Sequence, residues 1–535
     1  MNDNTTAPHL QRELLGHPAG LFVLFATEMW ERFSYYGMRA LLVLYLVKYH
    51  LFTDAEAAHT YAAYAALVYC LPVIGGVLAD RYLGFRKAVV FGGLLLVAGH
   101  TAMAVEGDAA VRDAMGVVER DAVGINFMFT ALALICVGVG FLKPNISGMV
   151  GELYPPGDGR RDGGFTIFYM GINLGAASAS LFVGWLGETV GWSYGFGAAG
   201  IGMLLGLLTF LWGQKYLKGL AEPTNPEKLA EIHFGLKFEH WIYAISLISV
   251  VAIHWLLQRH QIVGGGVLLT FVAVYLFWIW HCARRAERQE RNHIILVILL
   301  TLFSVLFWAL FEQAPTSLNL FADRITDRVV MGYEVTAGQI QSLNAIFILL
   351  LAPVFAMLWT WFERRNIHLS YATKFGLGIV QAGLGFLVLV LGMSLTEEGT
   401  KVALIWLVLV YLFHTTGELC LSPVGLSMVT KLTPFKLVGT MMGTWFLASA
   451  GAEYVSGVLA ALASIETPDG ETVDLVNAST IYGDFFGSLG WLGAIIGLLI
   501  LAFVPLLRKL QAQPDGSGAI TVGEDGKKEE AKKTD

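Results

Sequence analysis

Long apolar runs, separated by short polar breaks, constrain the fold of this chain more than any other feature of its sequence. Runs of about 18 to 28 residues are long enough for a helix to cross the hydrocarbon core of a bilayer. The 535 residues are 56% hydrophobic and only 14% charged, which is not the composition of a soluble domain. The runs predict about fourteen helices, at residues 20–48, 56–82, 86–105, 124–150, 162–187, 193–217, 240–258, 262–282, 293–321, 337–362, 370–394, 401–430, 437–463 and 481–507.

Lysines and arginines are concentrated in alternate loops, and this bias orients the chain. The basic loops are read as cytoplasmic, and an even number of helices then puts both termini in the cytoplasm. Long polar breaks near residues 220–239 and 284–292 isolate a helix pair, with six helices before it and six after it. Two groups of six are typical of a transporter with its site at mid-depth between them. The predicted units are a cytoplasmic segment at 1–18, a six-helix bundle at 19–218, a linker with two extra helices at 219–291, a second six-helix bundle at 292–508, and a disordered cytoplasmic tail at 509–535.

The first apolar run contains charged residues in the stretch TEMWERFSYYG, residues 27–37. Glu28, Glu31 and Arg32 lie in this stretch, and Arg39 follows it. Each charge costs about 2.5–3.5 kcal/mol at mid-membrane, so the helix face that carries them is expected to point to a water-filled cavity. Arg32 can neutralise one carboxylate and leave the other able to exchange protons. The alternative is a static ion cluster that only braces helices, although an apolar face would pack at lower cost.

The sequence lacks the motifs that are typical of metal-binding and cofactor-binding proteins. The four cysteines form no CxxC or Cys/His metal spacing, so neither a disulfide framework nor a metal site is predicted. The chain has no G-x-x-x-x-G-K-[ST] phosphate loop and no soluble segment large enough for a nucleotide domain. We therefore expect no resident cofactor and no nucleic-acid partner.

The polar break after the second helix carries the phrase GGVLADRYLGFRK, residues 75–87. It resembles the G-x-L-A-D-R-x-G-R-K loop of the major facilitator superfamily. In that family the acidic and basic residues of the loop, here Asp80 and Arg81, brace the cytoplasmic ends of neighbouring helices. The resemblance implies an all-α integral membrane protein with the major facilitator fold, built from two six-helix bundles and, in this chain, two extra central helices.

Five further phrases resemble the proton-dependent oligopeptide transporters, a branch of that superfamily. The first is ExxERFxYYG in the charged helix, at residues 28–37. The others are FLKPNISG at 141–148, FYMGINLGA at 168–176, FWALFEQ and SLNLFADR within 307–324, and GELCLSPVGLS at 417–427. Because these phrases span the chain in the family's order, the sequence is identified as a member of the bacterial branch, whose members have a similar extra helix pair.

The resemblance implies a proton-coupling group. Glu28, Glu31 and Arg32 match the coupling residues of helix one. Glu312 matches a helix-seven carboxylate that can pair with Arg39 across the gap between the bundles. The proton is then the only coupling ion expected, and no other cofactor is implied.

The resemblance also implies a peptide site with ends of opposite charge. Arg39 and Lys143 would hold the peptide carboxylate through charge-assisted hydrogen bonds. Asn173, Asn344 and Glu418 match the positions that receive the peptide ammonium. The other matched positions are Tyr35, Tyr36 and Tyr69 as hydroxyls near the peptide backbone, Trp308 and Trp445 as aromatic walls of side-chain pockets, and Ser422 as a pocket serine.

The expected function is therefore proton-coupled symport of di- and tripeptides into the cell by alternating access. The expected location is the plasma membrane, in a bacterium the inner membrane, with the protein surrounded by lipid and working as a monomer. The chain departs from the family at Ala314 and Pro315, where the family usually has a polar pair. The proline is expected to kink or loosen that helix.

Three other functions stay open at this point. An anion carrier on the same scaffold is one, although such relatives generally lack the full ExxER phrase that is present here. A polytopic membrane enzyme is the second, but the sequence has no recognisable nucleophile, metal cluster or acid/base pair at the membrane surface. A passive channel is the third, and charge clusters divided between two bundles favour a rocking carrier instead.

Overall fold

The computed structural model describes residues 12–155, 157–217, 219–284, 286–465 and 473–511, so most of the predicted N-terminal segment and tail lies outside the described residues. Apolar runs form helices almost throughout. The first nine helices are α1 Ala19–Lys48, α2 Asp54–Leu78, α3 Phe85–Met103, α4 Ala122–Glu152, α5 Arg161–Thr189, α6 Trp192–Gly213, α7 Pro226–Ala230, α8 Phe238–Leu257 and α9 His260–Arg284. The remaining nine are α10 Arg288–Phe311, α11 Ser317–Ile325, α12 Ala337–Ile340, α13 Ser342–Arg364, α14 Tyr371–Ser394, α15 Leu404–Leu432, α16 Val438–Ala460, α17 Leu475–Ala502 and α18 Val504–Gln511.

In the part of the chain that the structure describes, strands are confined to the loops. Four antiparallel pairs form between β1 Glu13–Leu14 and β2 His17–Pro18, β3 Val111–Arg112 and β4 Val118–Glu119, β5 Ile232–His233 and β6 Leu236–Lys237, and β8 Val329–Val330 and β9 Tyr333–Glu334. One parallel pair joins β7 Thr326–Asp327 to β10 Val402–Ala403. None of these two-residue strands extends into a larger sheet.

Fourteen of the described helices have 19 residues or more. Within the described ranges, twelve of the helices are long and apolar enough to cross a bilayer. The two long helices outside that set are α1, which carries the four charges noted above, and α3, which begins near Arg86 and Lys87. Each predicted span overlaps one of the fourteen, so the predicted number and order of long helices are confirmed.

One predicted span is divided. The sequence predicts a continuous helix over 293–321, whereas α10 ends at Phe311 and α11 begins only at Ser317. Pro315 lies in the intervening turn, where its ring and missing N–H oppose a continuous helix. The continuous helix is therefore wrong, and the loosening expected at Ala314 and Pro315 is confirmed. Gln313 stabilises the turn, since its side-chain amide donates to the carbonyl oxygens of Ala309 at 3.1 Å and Ser456 at 3.0 Å.

The long helices pack in two groups. In the first, α1 packs on α5 and α6, α3 on α4 and α6, and α2 on α4. In the second, α14 packs on α15 and α17, α10 on α16 and α14, and α13 on α15. The groups meet where α2 contacts α16 and α5 contacts α13. The extra pair lies against both groups, because α8 packs on α4 while α9 packs on α2 and α16.

The two ends of the molecule differ in how the bundles are joined. We call the end where α1 begins the terminal end, and the end where α1 finishes the closed end. Among the described residues, every hydrogen bond that joins α1–α6 and their loops to α10–α18 lies at the closed end or at mid-depth. The closed-end bonds join Arg324 to Asp54 (2.5 and 2.7 Å), Lys48 to Asp323 (2.6 Å), Asn319 and Gln341 to the Ala40 carbonyl (3.0 and 3.4 Å), the Ala337 and Gly338 N–H groups to Glu188 (3.3 and 2.6 Å), Gln339 to the Leu181 carbonyl (3.1 Å), and the Ile465 N–H to Asp54 (2.9 Å).

Candidate functional site

A cavity of about 690 Å³ lies between the two bundles. Asp80 and Gly439, at the ends of helices on the terminal side, belong to its lining, so the cavity extends towards the terminal end. Both bundles contribute polar side chains to it. The predicted site residues that line it are Glu28, Arg32, Tyr36, Arg39, Tyr69, Asp80, Lys143, Asn173, Trp308, Glu312, Asn344, Glu418 and Ser422.

The charged group of α1 shares one guanidinium between two carboxylates. The Arg32 Nε lies 3.0 Å from Glu28 Oε1 and also contacts Glu31. All three side chains are buried. Glu28 Oε2 and Glu31 Oε1 have no hydrogen-bond partner among the described residues. This is the imbalance that the spacing predicts, with one cation for two acids.

Glu31 itself does not line the cavity, although Glu28 and Arg32 do. The sequence predicts that the whole charged face of helix one points to the cavity, and for Glu31 this is wrong. The reason is helical geometry, since positions 28 and 32 are stacked one turn apart while position 31 lies off that line.

A buried ion pair joins the bundles at mid-depth. Arg39 on α1 donates to Glu312, which follows the last residue of α10. Both residues are buried, at 5% and 4% exposure. Glu312 is the C-cap of α10, and its N–H still donates to the Trp308 carbonyl at 2.8 Å, so the last turn of the helix positions this carboxylate. The structure thus forms the pair that the resemblance implies.

The walls of the cavity carry opposite charges beyond this pair. On the first bundle, the Lys143 ammonium lies 4.1 Å from the centroid of the Tyr69 ring, and no ion pair is described for it. On the second bundle, the Asn344 amide donates to Glu418 at 3.0 Å and to the Thr415 hydroxyl at 3.1 Å. Glu418 is buried and has an amide rather than a cation as its partner. An unpaired cation and an unpaired anion therefore face one cavity from different bundles.

The other predicted cavity residues differ in their placement. Asn173 lines the cavity, but its amide donates back to the Tyr169 carbonyl at 3.1 Å. Tyr36 lines it beneath the Arg39 guanidinium, whose central carbon is 5.5 Å from the ring centroid. Tyr35 does not line it and instead packs edge-on against Tyr36, with ring centroids 5.4 Å apart. A hydroxyl role for Tyr35 at the peptide backbone therefore finds no support in this arrangement.

Trp445 lies apart from the main cavity, in a smaller neighbour of about 100 Å³. Glu453 on α16 lines the same small cavity and is only 3% exposed. The sequence predicts no role for Glu453. Its signal was a single carboxylate among small residues in an apolar helix, which does not reveal the direction in which the side chain points.

Asp80 and Arg81, predicted in a loop, lie in a short π-helical turn, Ala79–Leu83, that continues α2, and both are exposed. The Asp80 carbonyl oxygen accepts a hydrogen bond from Thr224 at 2.8 Å, but no ion pair is described for either side chain. Their bracing role stays a prediction. In the part of the chain that the structure describes, no group of three or more His, Cys, Asp or Glu side chains could hold a metal ion.

Comparisons with known proteins find relatives over most of the chain. The family model described as PTR2: POT family matches residues 86–476. The chain is 38% identical over 485 residues to the "Peptide transporter YePEPT" of Yersinia enterocolitica subsp. palearctica, which covers 86% of this chain and 90% of that protein. It is 33% identical over 501 residues to the "Dipeptide and tripeptide permease A" of Erwinia pyrifoliae, which covers 92% of this chain and 95% of that protein. A crystal structure of a variant of peptide transporter POT in complex with alafosfalin superimposes with a TM-score of 0.76 at 38% identity, covering 94% of this chain and 97% of that one.

Proposed function

The chain belongs to the POT family, and we propose that it is a proton-coupled symporter that imports di- and tripeptides by alternating access. The observation that carries this proposal is the opposed charge in one cavity. Arg39 and Lys143 lie on the first bundle, and Asn344 and Glu418 lie on the second. A zwitterionic peptide fits such a site, because its carboxylate and ammonium need partners of opposite sign a fixed distance apart. Similar relatives are named as peptide transporters or permeases.

A bridging ligand would couple binding to movement. One peptide held by both bundles favours the state in which they are close together, which is the occluded step of alternating access. The cavity volume of about 690 Å³ falls within the roughly 300–1,000 Å³ typical of small-molecule sites. Because the opposed charges of the main cavity would contact the two ends of the peptide, this cavity selects for peptide length more than for sequence.

Protons would enter through the same charged groups. A peptide carboxylate that binds Arg39 competes with Glu312 for the guanidinium. A buried carboxylate that loses its cation is stabilised by taking up a proton. Glu28 and Glu31 share Arg32 in the same way, so any of the three carboxylates can serve as the proton carrier. A proton supplies about 2.3 kcal/mol per 100 mV, and a pH step of one unit adds about 1.4 kcal/mol.

The orientation follows from the basic loops. We place the terminal end in the cytoplasm of the cell, so the described cavity faces inward and the closed end faces out. The plasma membrane, in a bacterium the inner membrane, is the proposed location. A monomer suffices, because one chain supplies both walls of the cavity, and protons are the only coupling species required.

The test uses purified protein in sealed liposomes with labelled dialanine outside and an imposed potential or pH step. The parent is expected to accumulate dialanine. Glu31→Gln is expected to exchange dialanine without concentrating it. Lys143→Ala loses a charged hydrogen bond worth about 1.5–3 kcal/mol, which is roughly a tenfold or larger rise in half-saturating peptide. Glu397→Gln removes an exposed carboxylate from a loop outside the cavity and should match the parent.

Two results of this experiment would contradict the proposed peptide transport. If folded, monodisperse parent protein takes up no di- or tripeptide under either gradient, the peptide assignment is wrong. Uptake of nitrate or another anion under the same conditions would then identify an anion carrier on this scaffold.

A further inference from the structure

The small cavity lies beside the main one, and the two share a rim of lining residues. Its volume is about 100 Å³, room for several water molecules or the end of a side chain. Glu453 and Ser449 line it together with aromatic rings. The residues common to both cavities are Tyr69, Trp308, Glu312, Ser422 and Leu426.

Glu453 is a buried carboxylate without a described partner. The residue is 3% exposed, its Oε2 has no hydrogen-bond partner, and no ion pair is described for it. Arg39, the guanidinium nearest to this cavity, pairs with Glu312. Lys143 lies over the Tyr69 ring, and no hydrogen bond or ion pair from it to Glu453 is described. A buried carboxylate without a cation is stabilised by a proton or by a positively charged group that enters the cavity, so a cationic ligand group is favoured here over a neutral one.

The walls of the small cavity also attract cations. Tyr69, Trp308 and Trp445 contribute aromatic rings to it, and the faces of such rings bind ammonium and guanidinium groups. The Lys143 ammonium already lies over the Tyr69 ring at 4.1 Å. Ser449 adds a hydroxyl that can accept a hydrogen bond from a cation. Carboxylate, rings and hydroxyl together suit a cationic group with an apolar stem.

We propose that this cavity binds a cationic side chain of a di- or tripeptide, with Glu453 as the residue that determines this specificity. The proposal rests on the function proposed above. The peptide ends remain with Arg39, Lys143, Asn344 and Glu418 in the main cavity, and the side chain enters over the shared rim. Lysyl and arginyl peptides are then preferred over uncharged peptides of similar shape, and acidic side chains are disfavoured by like charge.

The experiment measures competition in the whole protein without a driving gradient. Liposomes loaded with unlabelled dialanine exchange it for labelled dialanine outside, at equal pH and with no potential, while Ala-Lys, Ala-Met or Ala-Glu competes. In the parent, Ala-Lys should inhibit at about one tenth the concentration of Ala-Met, the ratio that about 1.4 kcal/mol of binding energy gives. Ala-Glu should be the weakest competitor.

The variants separate charge from shape. Glu453→Gln keeps the shape of the side chain and removes its charge. In this variant the inhibitory concentrations of Ala-Met and Ala-Lys should become nearly equal. Glu453→Asp keeps the charge on a shorter side chain and should retain part of the preference. Glu397→Gln, an exposed carboxylate elsewhere, should keep the parent ratio.

Each outcome decides the inference. If the parent exchanges dialanine but Ala-Lys competes no better than Ala-Met, this inference is wrong and the peptide function stands. A preference that survives unchanged in folded Glu453→Gln also overturns it. If Glu453→Gln does not fold, the order of competitor strength in the parent tests the inference, which requires Ala-Lys to be strongest and Ala-Glu weakest. If the parent exchanges no peptide at all, both the function and this inference fall.

Discussion

The two bundles make different contacts with each other at the closed end and at the terminal end of this molecule. At the closed end, charged and amide side chains of one bundle bond to groups of the other, as Arg324 does with Asp54. At the terminal end, the structure describes no hydrogen bond between the bundles in the parts of the chain it covers. The cavity lining there includes apolar side chains such as Val77 and Leu426, which are 45% and 43% exposed. Among the described residues, polar contacts therefore join the bundles at the closed end and at mid-depth, but not at the terminal end.

The difference bears on how a carrier changes state. To open the closed end, the protein must separate buried ion pairs. The free energy lost with these contacts must be offset by contacts formed elsewhere. The terminal end has small residues at its rim, and a Cβ built on Gly439 or Gly443 would meet no atom within 4 Å. Helices with small residues can approach closely, so this end can close without a matching set of ion pairs.

The largest effect is expected when the buried pair of the closed end is broken. Arg324→Ala leaves Asp54 buried, at 3% side-chain exposure, with only the Ile465 N–H as a described partner. Loss of one member of a buried pair costs about 3–5 kcal/mol. The closed end should therefore open more often. Labelling of Gln341→Cys, just inside that end, by an impermeant thiol reagent outside intact cells should become at least about tenfold faster.

The control for this change lies at the same end. Lys401→Ala removes an exposed cation with no described ion pair, and should change stability by no more than about 0.5 kcal/mol. Equal labelling rates in Arg324→Ala and the parent would mean that the buried pair does not hold the closed end, and the contrast between the two ends would lose its main support.

A smaller effect is expected from crowding the backbone at the closed end. A Cβ on Gly184 of α5 would lie 2.9 Å from the carbonyl carbon of Gly338 on α12. Gly184→Ala should therefore push the bundles apart at a cost of about 1–3 kcal/mol and speed the same labelling. Gly487→Ala is the matched change, because a Cβ there meets nothing within 4 Å. Faster labelling in both variants alike would point to a general effect of replacing glycine.

Much of the fold could be predicted from the sequence, because apolar runs of membrane length leave few alternatives to helices. The opposed charges of the cavity were found through short motifs that fix residue types at known places. The interruption at Glu312 was predicted only as a loosened helix, since a proline indicates that a helix breaks but not how its neighbours repack. The side on which Tyr35, Trp445 and Glu453 lie depends on helix rotation, which composition does not determine.

The choice of closed end could not be predicted at all. Asp54 and Arg324 are 270 positions apart, and no local pattern joins them. More fundamentally, an alternating carrier must form two states from one sequence. That sequence therefore contains both the residues that close one end and those that close the other. Which set is formed depends on a balance of a few kcal/mol between whole arrangements.

The smallest effect is expected at the exposed pair of the same end. Lys48 lies 2.6 Å from Asp323, with 42% of the lysine side chain exposed. Water and salt screen such a pair, which typically contributes only about 0.2–1 kcal/mol. Lys48→Ala should thus raise the labelling rate of Gln341→Cys only slightly, and the difference from the parent should vanish at about 1 M salt. An effect as large as that of Arg324→Ala, or one that persists in high salt, would show that the number of links between the bundles matters more than their burial.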